Sequence, residues 1–200
     1  MVKFLLLAVA FGLAHAQLEG KWKTVAILAD NEDKIAKGGP LEIFIREITC
    51  EEGCKIMKVK FYVNQNGQCS LTTVNGYLQE DGETFRNQYE GENYYELVKA
   101  TSENILFYSE NVDRASRKTK LLFVVGKGQP LTEEQKEKLA EYAEEKDIPP
   151  ASMREVLDTD KNGMRILHHN PLTMESVSSI IHLCYQNKIF PTLCSEDTAY

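Results

Sequence analysis

Five cysteines carry the most definite chemistry in this 200-residue sequence, because thiols form disulfides, bind zinc and act as nucleophiles. Cys50 and Cys54 stand four residues apart around Glu51-Glu52-Gly53, a spacing that lets a disulfide close a small loop. Two unpaired thiols, or half of a metal site, are the alternatives, although no further zinc ligands stand nearby. The remaining cysteines are Cys69, Cys184 and Cys194. The odd total leaves at least one thiol free or bridged to another molecule.

Histidine-dependent chemistry has little support in the sequence. His168, His169 and His182 all fall within residues 161–200, where no second cluster of metal ligands accompanies them. We interpret them as surface residues. Ser-His-Asp or Cys-His catalysis needs a positioned base, and residues 17–160 contain no histidine. The sequence therefore predicts a protein that is not an enzyme and that holds neither a cofactor nor a metal.

Residues 1–16 are typical of a secretory signal peptide. Lys3 supplies the positive start, Phe4 to Leu13 form the apolar run, and Ala14-His15-Ala16 fits a small-x-small cleavage site. The apolar run is too short to span a bilayer, which takes about 20 residues. We expect a secreted, extracellular protein with no membrane insertion.

The charge balance excludes some classes of partner. The formal net charge is -7 at pH 7, and nucleic acids or anionic membranes would require clustered Lys and Arg instead. We therefore expect no nucleic-acid partner.

Residues 21–127 form a series of short runs rich in β-branched and aromatic residues, separated by turn residues such as Gly38-Gly39-Pro40 and Asp81-Gly82. The predicted strands are Trp22 to Leu28, Leu41 to Cys50, Lys55 to Val63, Gln68 to Leu78, Thr84 to Glu90, Tyr94 to Ala100, Asn104 to Val112 and Thr119 to Val125. Eight short strands in series favour an all-β, up-and-down antiparallel barrel, which leaves no free sheet edge.

Alternation along these runs indicates which side chains point inward. Leu41, Ile43 and Ile45 share one face of the second run, and Val59 alternates with charged residues in the third. The same spacing places Leu121, Phe123 and Val125 together near the end of the series. Barrels of this size are either filled by side chains or hold one small ligand.

A helix follows the predicted barrel. Thr132 and Gln135 form a capping-box pattern, and Ile148-Pro149-Pro150 ends the segment. Its apolar stripe predicts packing against the outside of the barrel, with the charged face in solvent. We assign residues 17–160 to the barrel and helix, and residues 161–200 to an atypical C-terminal tail.

Three short motifs resemble the signatures of the lipocalin family. Gly20-x-Trp22 opens the first strand, Asn111-Val112-Asp113 lies between later strands, and Gly126-Lys127 ends the last one. In lipocalins a cation covers the tryptophan at the closed end of the barrel. The resemblance implies that Lys127 takes this position, as a weaker stacking partner than arginine.

Within the lipocalins, the sequence is most similar to the rodent odorant-binding and aphrodisin-like group over about residues 18 to 160. The similarity rests on Glu19 to Trp22, Gly39-Pro40-Leu41, Cys50-x-x-x-Cys54 and Gly126-Lys127-Gly128. In that group the cysteine at position 69 pairs with one near residue 161, where this chain has Lys161-Asn162-Gly163. Cys184 or Cys194 could replace that partner, or Cys69 could remain a thiol.

The resemblance implies that small hydrophobic molecules bind inside the barrel. The implied apolar wall consists of Ile27, Leu41, Ile43, Ile45, Val59, Phe61, Phe107, Leu121, Phe123 and Val125. The implied polar positions, which could hydrogen-bond a carbonyl or hydroxyl group, are Asn87, Asn93, Tyr95 and Ser109.

The predicted function is that of a secreted carrier of odorants or pheromones, as a monomer or homodimer. One alternative is a chemosignal whose surface is recognised by a chemosensory receptor. A second is a cysteine-dependent isomerase, since one lipocalin branch isomerises a prostaglandin with a cavity cysteine, a position that only Cys69 could imitate.

Overall fold

A computed structural model describes residues 18–65 and 68–157. The predicted signal peptide, the C-terminal tail with its three histidines, and Cys184 and Cys194 lie outside the described residues. No helix in the described part of the chain is both long and apolar enough to cross a membrane.

The molecule is built mainly from antiparallel strands. They are β1 (Gly20–Lys21), β2 (Lys23–Ala29), β3 (Ile43–Glu51), β4 (Ile56–Gln65), β5 (Gln68–Leu78), β6 (Thr84–Gln88), β7 (Glu92–Ala100), β8 (Asn104–Val112), β9 (Lys118–Gly126) and β10 (Arg154–Glu155). The eight predicted strands are confirmed as β2 to β9, and each strand begins and ends within two residues of the predicted position. The short strands β1 and β10 were not predicted.

The first strand segment closes the sheet into a barrel. β3 to β9 pair in sequence order, β2 pairs with β9, and β1 pairs with β3. The Trp22 amide, between β1 and β2, donates to the Arg46 carbonyl at 2.9 Å. The buried Thr24 hydroxyl also connects β2 to β3, because it accepts from the Ile45 amide and donates to the Ile43 carbonyl. Residues 20–29 therefore bond to β3 on one side and to β9 on the other, which joins the two edges of the sheet.

Strands β2 and β9 are buried on both faces because a helix covers the barrel there. α1 (Glu32–Ile35) is a single turn, whereas α2 (Glu133–Glu145) begins with the predicted Thr132–Gln135 capping box. Side chains on the outer face of β2 and β9 form one core with α2, to which Leu139 and Ala143 contribute. Side chains on the inner face form a second core inside the barrel. The predicted outer helix is confirmed as α2.

The two ends of the barrel are closed differently. Trp22 fills the end where β1 begins, which we call the closed end, and is only 2% exposed. Residues 30–42, containing α1, cross the opposite end, and we call this segment the lid. Ile35 of the lid is fully buried in the inner core. The cavity lies between these two closures.

The Lys34–Asp113 ion pair holds the lid against the turn between β8 and β9, with 2.9 Å between Nζ and Oδ2. Asp113 also accepts from the backbone amides of Ala115 and Arg117, which fixes its own turn. The motif Asn111-Val112-Asp113 therefore lies at the lid end of the barrel, opposite Trp22.

Candidate ligand cavity

A cavity of about 80 Å³ lies inside the barrel. Its lining residues come from the lid, from the seven strands β3 to β9, and from the turn after β6. They are Leu41, Ile43, Ile45, Ile48, Met57, Val59, Phe61, Val74, Asn87, Tyr89, Asn93, Tyr95, Phe107, Ser109, Leu121 and Phe123. Among these described residues none is Asp, Glu, Lys or Arg, so the interior offers an apolar surface with a few neutral polar groups.

Twelve of the fourteen residues predicted for the ligand site line this cavity. The exceptions are Ile27 and Val125, which are packed into the inner core at 1% and 0% exposure. Alternation identifies the inner face of a strand, but it does not identify the height at which side chains fill the barrel completely. Val125 pairs with Thr24 and with the fully buried Ile105 near the closed end.

Four lining residues were not predicted from the sequence: Ile48, Met57, Val74 and Tyr89. A β-bulge between Ile45 and Glu47 shifts the alternation of β3, so that Ile48 points inward where simple alternation would place Glu47. Met57 continues the pattern of Val59 and Phe61, and Tyr89 continues that of Asn87. Extending the two-residue alternation by one step along each strand would have predicted Met57 and Tyr89.

Aromatic rings occupy much of the interior. Phe61 and Tyr89 meet edge to face at 5.0 Å between ring centroids, and Tyr95 stacks on Phe85 at 5.6 Å. Phe107 meets Tyr95 edge to face at 6.4 Å. An engineered apolar cavity of about 150 Å³ holds benzene. A ligand of about ten carbons therefore requires some of these rings to rotate.

Tyr95 reaches across the barrel because residue 76 on β5 has no side chain. A Cβ atom on Gly76 would lie 1.7 Å from the Tyr95 hydroxyl oxygen. Burial raises the pKa of Tyr95, while the neighbouring Asn87 side chain lowers it to a smaller extent. The Tyr95 hydroxyl makes no hydrogen bond of ordinary geometry within the described structure. It is therefore a neutral polar group available to a ligand.

Three asparagines connect the lid end of the interior to the cavity. Asn111 Nδ2 lies 2.9 Å from Asn93 Oδ1, and Asn93 Nδ2 lies 3.1 Å from Asn87 Oδ1. Asn111 is fully buried and Asn93 nearly so. Beside them, Thr119 is buried with no hydrogen-bond partner for its hydroxyl among the described residues. The polar groups of the cavity are thus gathered on β6, β7 and β8.

Strands β5 and β6 are paired over a shorter length than the other neighbouring strands between β3 and β9. These strands pair only at Tyr77–Arg86 and Leu78–Phe85. Val74 and Asn87 line both the inner cavity and a groove on the outer surface between the two strands. Asn87 therefore lies at the boundary between β5 and β6, which we call the β5–β6 seam.

The one disulfide formed between described residues does not line the cavity. Cys50 and Cys54 are joined in a disulfide across the turn between β3 and β4. The predicted pairing of Cys69 with Cys184 or Cys194 involves cysteines outside the described residues and stays a prediction. Within residues 18–65 and 68–157, no group of three His, Cys, Asp or Glu side chains could hold a metal ion.

Comparison with known proteins decides the family. Residues 19–160 match the family described as "Lipocalin / cytosolic fatty-acid binding protein family". The chain is a lipocalin. Odorant-binding protein 1b of Mus musculus is 67% identical to this lipocalin over 166 residues, covering 80% of this chain and 97% of that protein. Aphrodisin of Mesocricetus auratus is 47% identical over 164 residues, covering 80% of this chain and 98% of aphrodisin.

Solved structures agree with this assignment. This lipocalin superposes on the crystal structure of aphrodisin, a sex pheromone from female hamster, with a TM-score of 0.69 at 45% identity. That comparison covers 72% of this chain and 97% of aphrodisin. A complex of bovine odorant-binding protein with undecanal matches with a TM-score of 0.53 at 28% identity, covering 66% of this chain and 83% of the bovine protein. The lipocalin belongs to the odorant-binding and aphrodisin-like group.

Proposed function

We propose that this lipocalin is a secreted carrier that reversibly binds small hydrophobic molecules, such as odorants or pheromones, inside the barrel. The observation that carries the proposal is the interior cavity, whose described lining is apolar apart from a few neutral polar side chains. Small-molecule sites generally have this composition. The similarity to proteins named for odorant binding, one of them in complex with undecanal, supports the same function.

The energetics favour moderate affinity. Burial of each methylene group contributes about 0.8 kcal/mol, against which stand the loss of translational freedom and the rotation of aromatic side chains. For a ligand of about ten carbons the balance corresponds to micromolar dissociation constants. Since most contacts are apolar and non-directional, we expect broad selectivity among molecules of similar size.

A fluorescent apolar probe, N-phenyl-1-naphthylamine, tests the carrier function. We expect the purified protein to enhance its emission, and undecanal to displace it. Leu121→Phe, which fills the cavity, should weaken probe binding at least threefold, whereas Leu71→Phe on the exposed surface should not. Circular dichroism confirms that both variants are folded. A folded wild-type protein that takes up no probe would contradict the proposal.

A second candidate function is that of a chemosignal read by a receptor through the protein surface, because aphrodisin is described as a sex pheromone. Receptor activation by protein extracted with organic solvent, and refolded without ligand, would favour this candidate over the carrier. An isomerase is less well supported, since the described residues that line the cavity include no cysteine. Turnover that Cys69→Ser abolishes would favour the enzyme.

Secretion is tested separately. Expression in mammalian cells should place the protein in the culture medium, and N-terminal sequencing should begin at Gln17 if the signal peptide is removed after Ala16. Retention of residues 1–16 on the extracellular product would contradict the assignment.

A further inference from the structure

The interior asparagines form a chain of amide groups with a defined direction. Asn111 donates through Nδ2 to Asn93 Oδ1 at 2.9 Å, and Asn93 donates through Nδ2 to Asn87 Oδ1 at 3.1 Å. We call Asn111, Asn93 and Asn87 the amide chain. It runs from the lid end of β8, across β7, to the seam between β5 and β6.

Backbone carbonyl groups fix the orientation of the first two amides. Asn93 Nδ2 lies 2.7 Å from the Tyr89 carbonyl oxygen, and Asn111 Nδ2 lies 3.3 Å from the Glu90 carbonyl oxygen. A carbonyl oxygen only accepts hydrogen bonds, so the NH₂ group of each asparagine must face it. Flipping either amide would place two acceptors against each other. The direction of the chain therefore follows from its partners.

This direction determines what Asn87 can offer. Both amide hydrogens of Asn93 and its carbonyl oxygen are engaged, so Asn93 has no remaining donor for a ligand. Asn87 Oδ1 accepts from Asn93, which leaves the Asn87 NH₂ group as the end of the chain. That group borders the cavity beside the buried Tyr95 hydroxyl, and the Asn87 side chain lowers the pKa of Tyr95, as a donor to the phenol oxygen does.

We propose that the amide chain presents Asn87 Nδ2 to the cavity as a fixed donor that hydrogen-bonds the carbonyl oxygen of a bound ketone or aldehyde. This inference rests on the proposed carrier function and narrows its ligand class. Asn87 contacts the ligand, while Asn93 and Asn111 are positioning residues. Ionised carboxylic acids bind poorly, because the described lining holds no cation to compensate for their lost hydration.

A matched pair of ligands tests the hydrogen bond. In 2-decanone and 2-methyl-1-nonene a carbonyl oxygen is exchanged for a methylene group of similar shape. For Asn87→Leu we expect the affinity for the ketone to fall about three- to tenfold, the range for one neutral hydrogen bond, while the alkene binds at least as well. Asn93→Ala should give a smaller loss of the same selectivity. Asn87→Ala serves if the leucine variant does not fold.

Infrared spectroscopy separates this role from a structural one. The carbonyl stretch of 2-decanone labelled with ¹³C at the carbonyl should lie at lower wavenumber in the wild-type complex than in hexane. Asn87→Leu should abolish that shift, and Asn93→Ala should broaden the band. Ser109→Ala removes a different hydrogen-bonding group of the cavity and should leave the shift unchanged.

The outcomes distinguish this inference from the carrier function. A wild-type complex that binds both ligands without a carbonyl shift would overturn the amide-chain proposal and leave the carrier function intact. A shift that persists in Asn87→Leu would assign the donor to Ser109 if Ser109→Ala removes it, or to Tyr95 if Tyr95→Phe removes it, and either result would also overturn the proposal. Failure of wild-type protein to bind either ligand would instead contradict the carrier function itself.

Discussion

Lys127 Nζ lies 3.3 Å from the centroid of the Trp22 ring at the closed end of the barrel. The same ammonium group donates to the Lys21 carbonyl at 3.0 Å, and Trp22 Nε1 donates to the Leu18 carbonyl at 2.8 Å. The tryptophan is thus covered by a cation on one face and tied to the chain that precedes it. This contact joins the start of β2 to the end of β9, which are distant in sequence.

The closed end should contribute strongly to stability. Trp22→Ala is expected to lower the free energy of unfolding by about 3 to 5 kcal/mol, because it leaves a cavity where a large aromatic side chain was buried. Lys127→Met keeps the aliphatic stem and should lower it by only about 0.5 to 1 kcal/mol, the loss of a cation–π contact. Urea unfolding measures both. Lys127→Arg is the matched control, and it should be at least as stable as wild type.

The close approach of Tyr95 to β5 should make residue 76 intolerant of a side chain. Gly76→Ala is expected to lower the free energy of unfolding by about 1 to 3 kcal/mol, since the new methyl group and the Tyr95 hydroxyl cannot occupy the same space. The loss should be smaller in a Tyr95→Phe background, which removes that oxygen. A double-mutant cycle by urea unfolding gives the coupling. Equal losses in both backgrounds would show that the clash is not with the Tyr95 hydroxyl oxygen.

The lid contact should make stability depend on pH at the acidic end. The Lys34 ammonium and the Arg117 backbone amide hold the pKa of Asp113 well below its usual range. A lowered pKa means that the ionised form stabilises the fold above the unfolded pKa of about 3.9, and that this contribution is lost as the pH falls further.

Asp113→Asn should therefore be less stable than wild type at pH 7, with the difference constant above about pH 5 and shrinking below about pH 4. Thermal unfolding across pH 2.5 to 7 measures it. Arg117→Met is a control with a smaller expected effect, because the Arg117 side chain is 67% exposed. A difference that does not shrink in acid would show that Asp113 acts through packing.

The disulfide should stabilise the fold without affecting the cavity. Replacing both Cys50 and Cys54 with serine is expected to lower the free energy of unfolding by about 2 kcal/mol, the chain-entropy value for so short a loop. The affinity for N-phenyl-1-naphthylamine should be unchanged, because neither cysteine lines the cavity. A loss of probe binding by folded protein would indicate that the turn between β3 and β4 shapes the interior.

Local patterns predicted most of the fold, because each strand carries its own signal in β-branched and aromatic residues and in the turns between them. The capping box at Thr132 is equally local. The position of Ile48 was not predictable by alternation, since the bulge after Ile45 reverses which residues face inward. The Lys34–Asp113 pair joins residues 79 positions apart, and no local pattern identifies such a partner. The amide chain likewise depends on the register of three strands.

The central claim is that small hydrophobic molecules bind inside the barrel, and isotope-filtered nuclear Overhauser spectroscopy tests it most directly. With ¹³C-labelled protein and unlabelled 2-decanone, we predict contacts from the ligand methyl groups to Phe61, Phe107 and Leu121, all of which line the cavity. Contacts confined to exposed residues such as Leu71 and Tyr77, with none to the interior, would contradict the account.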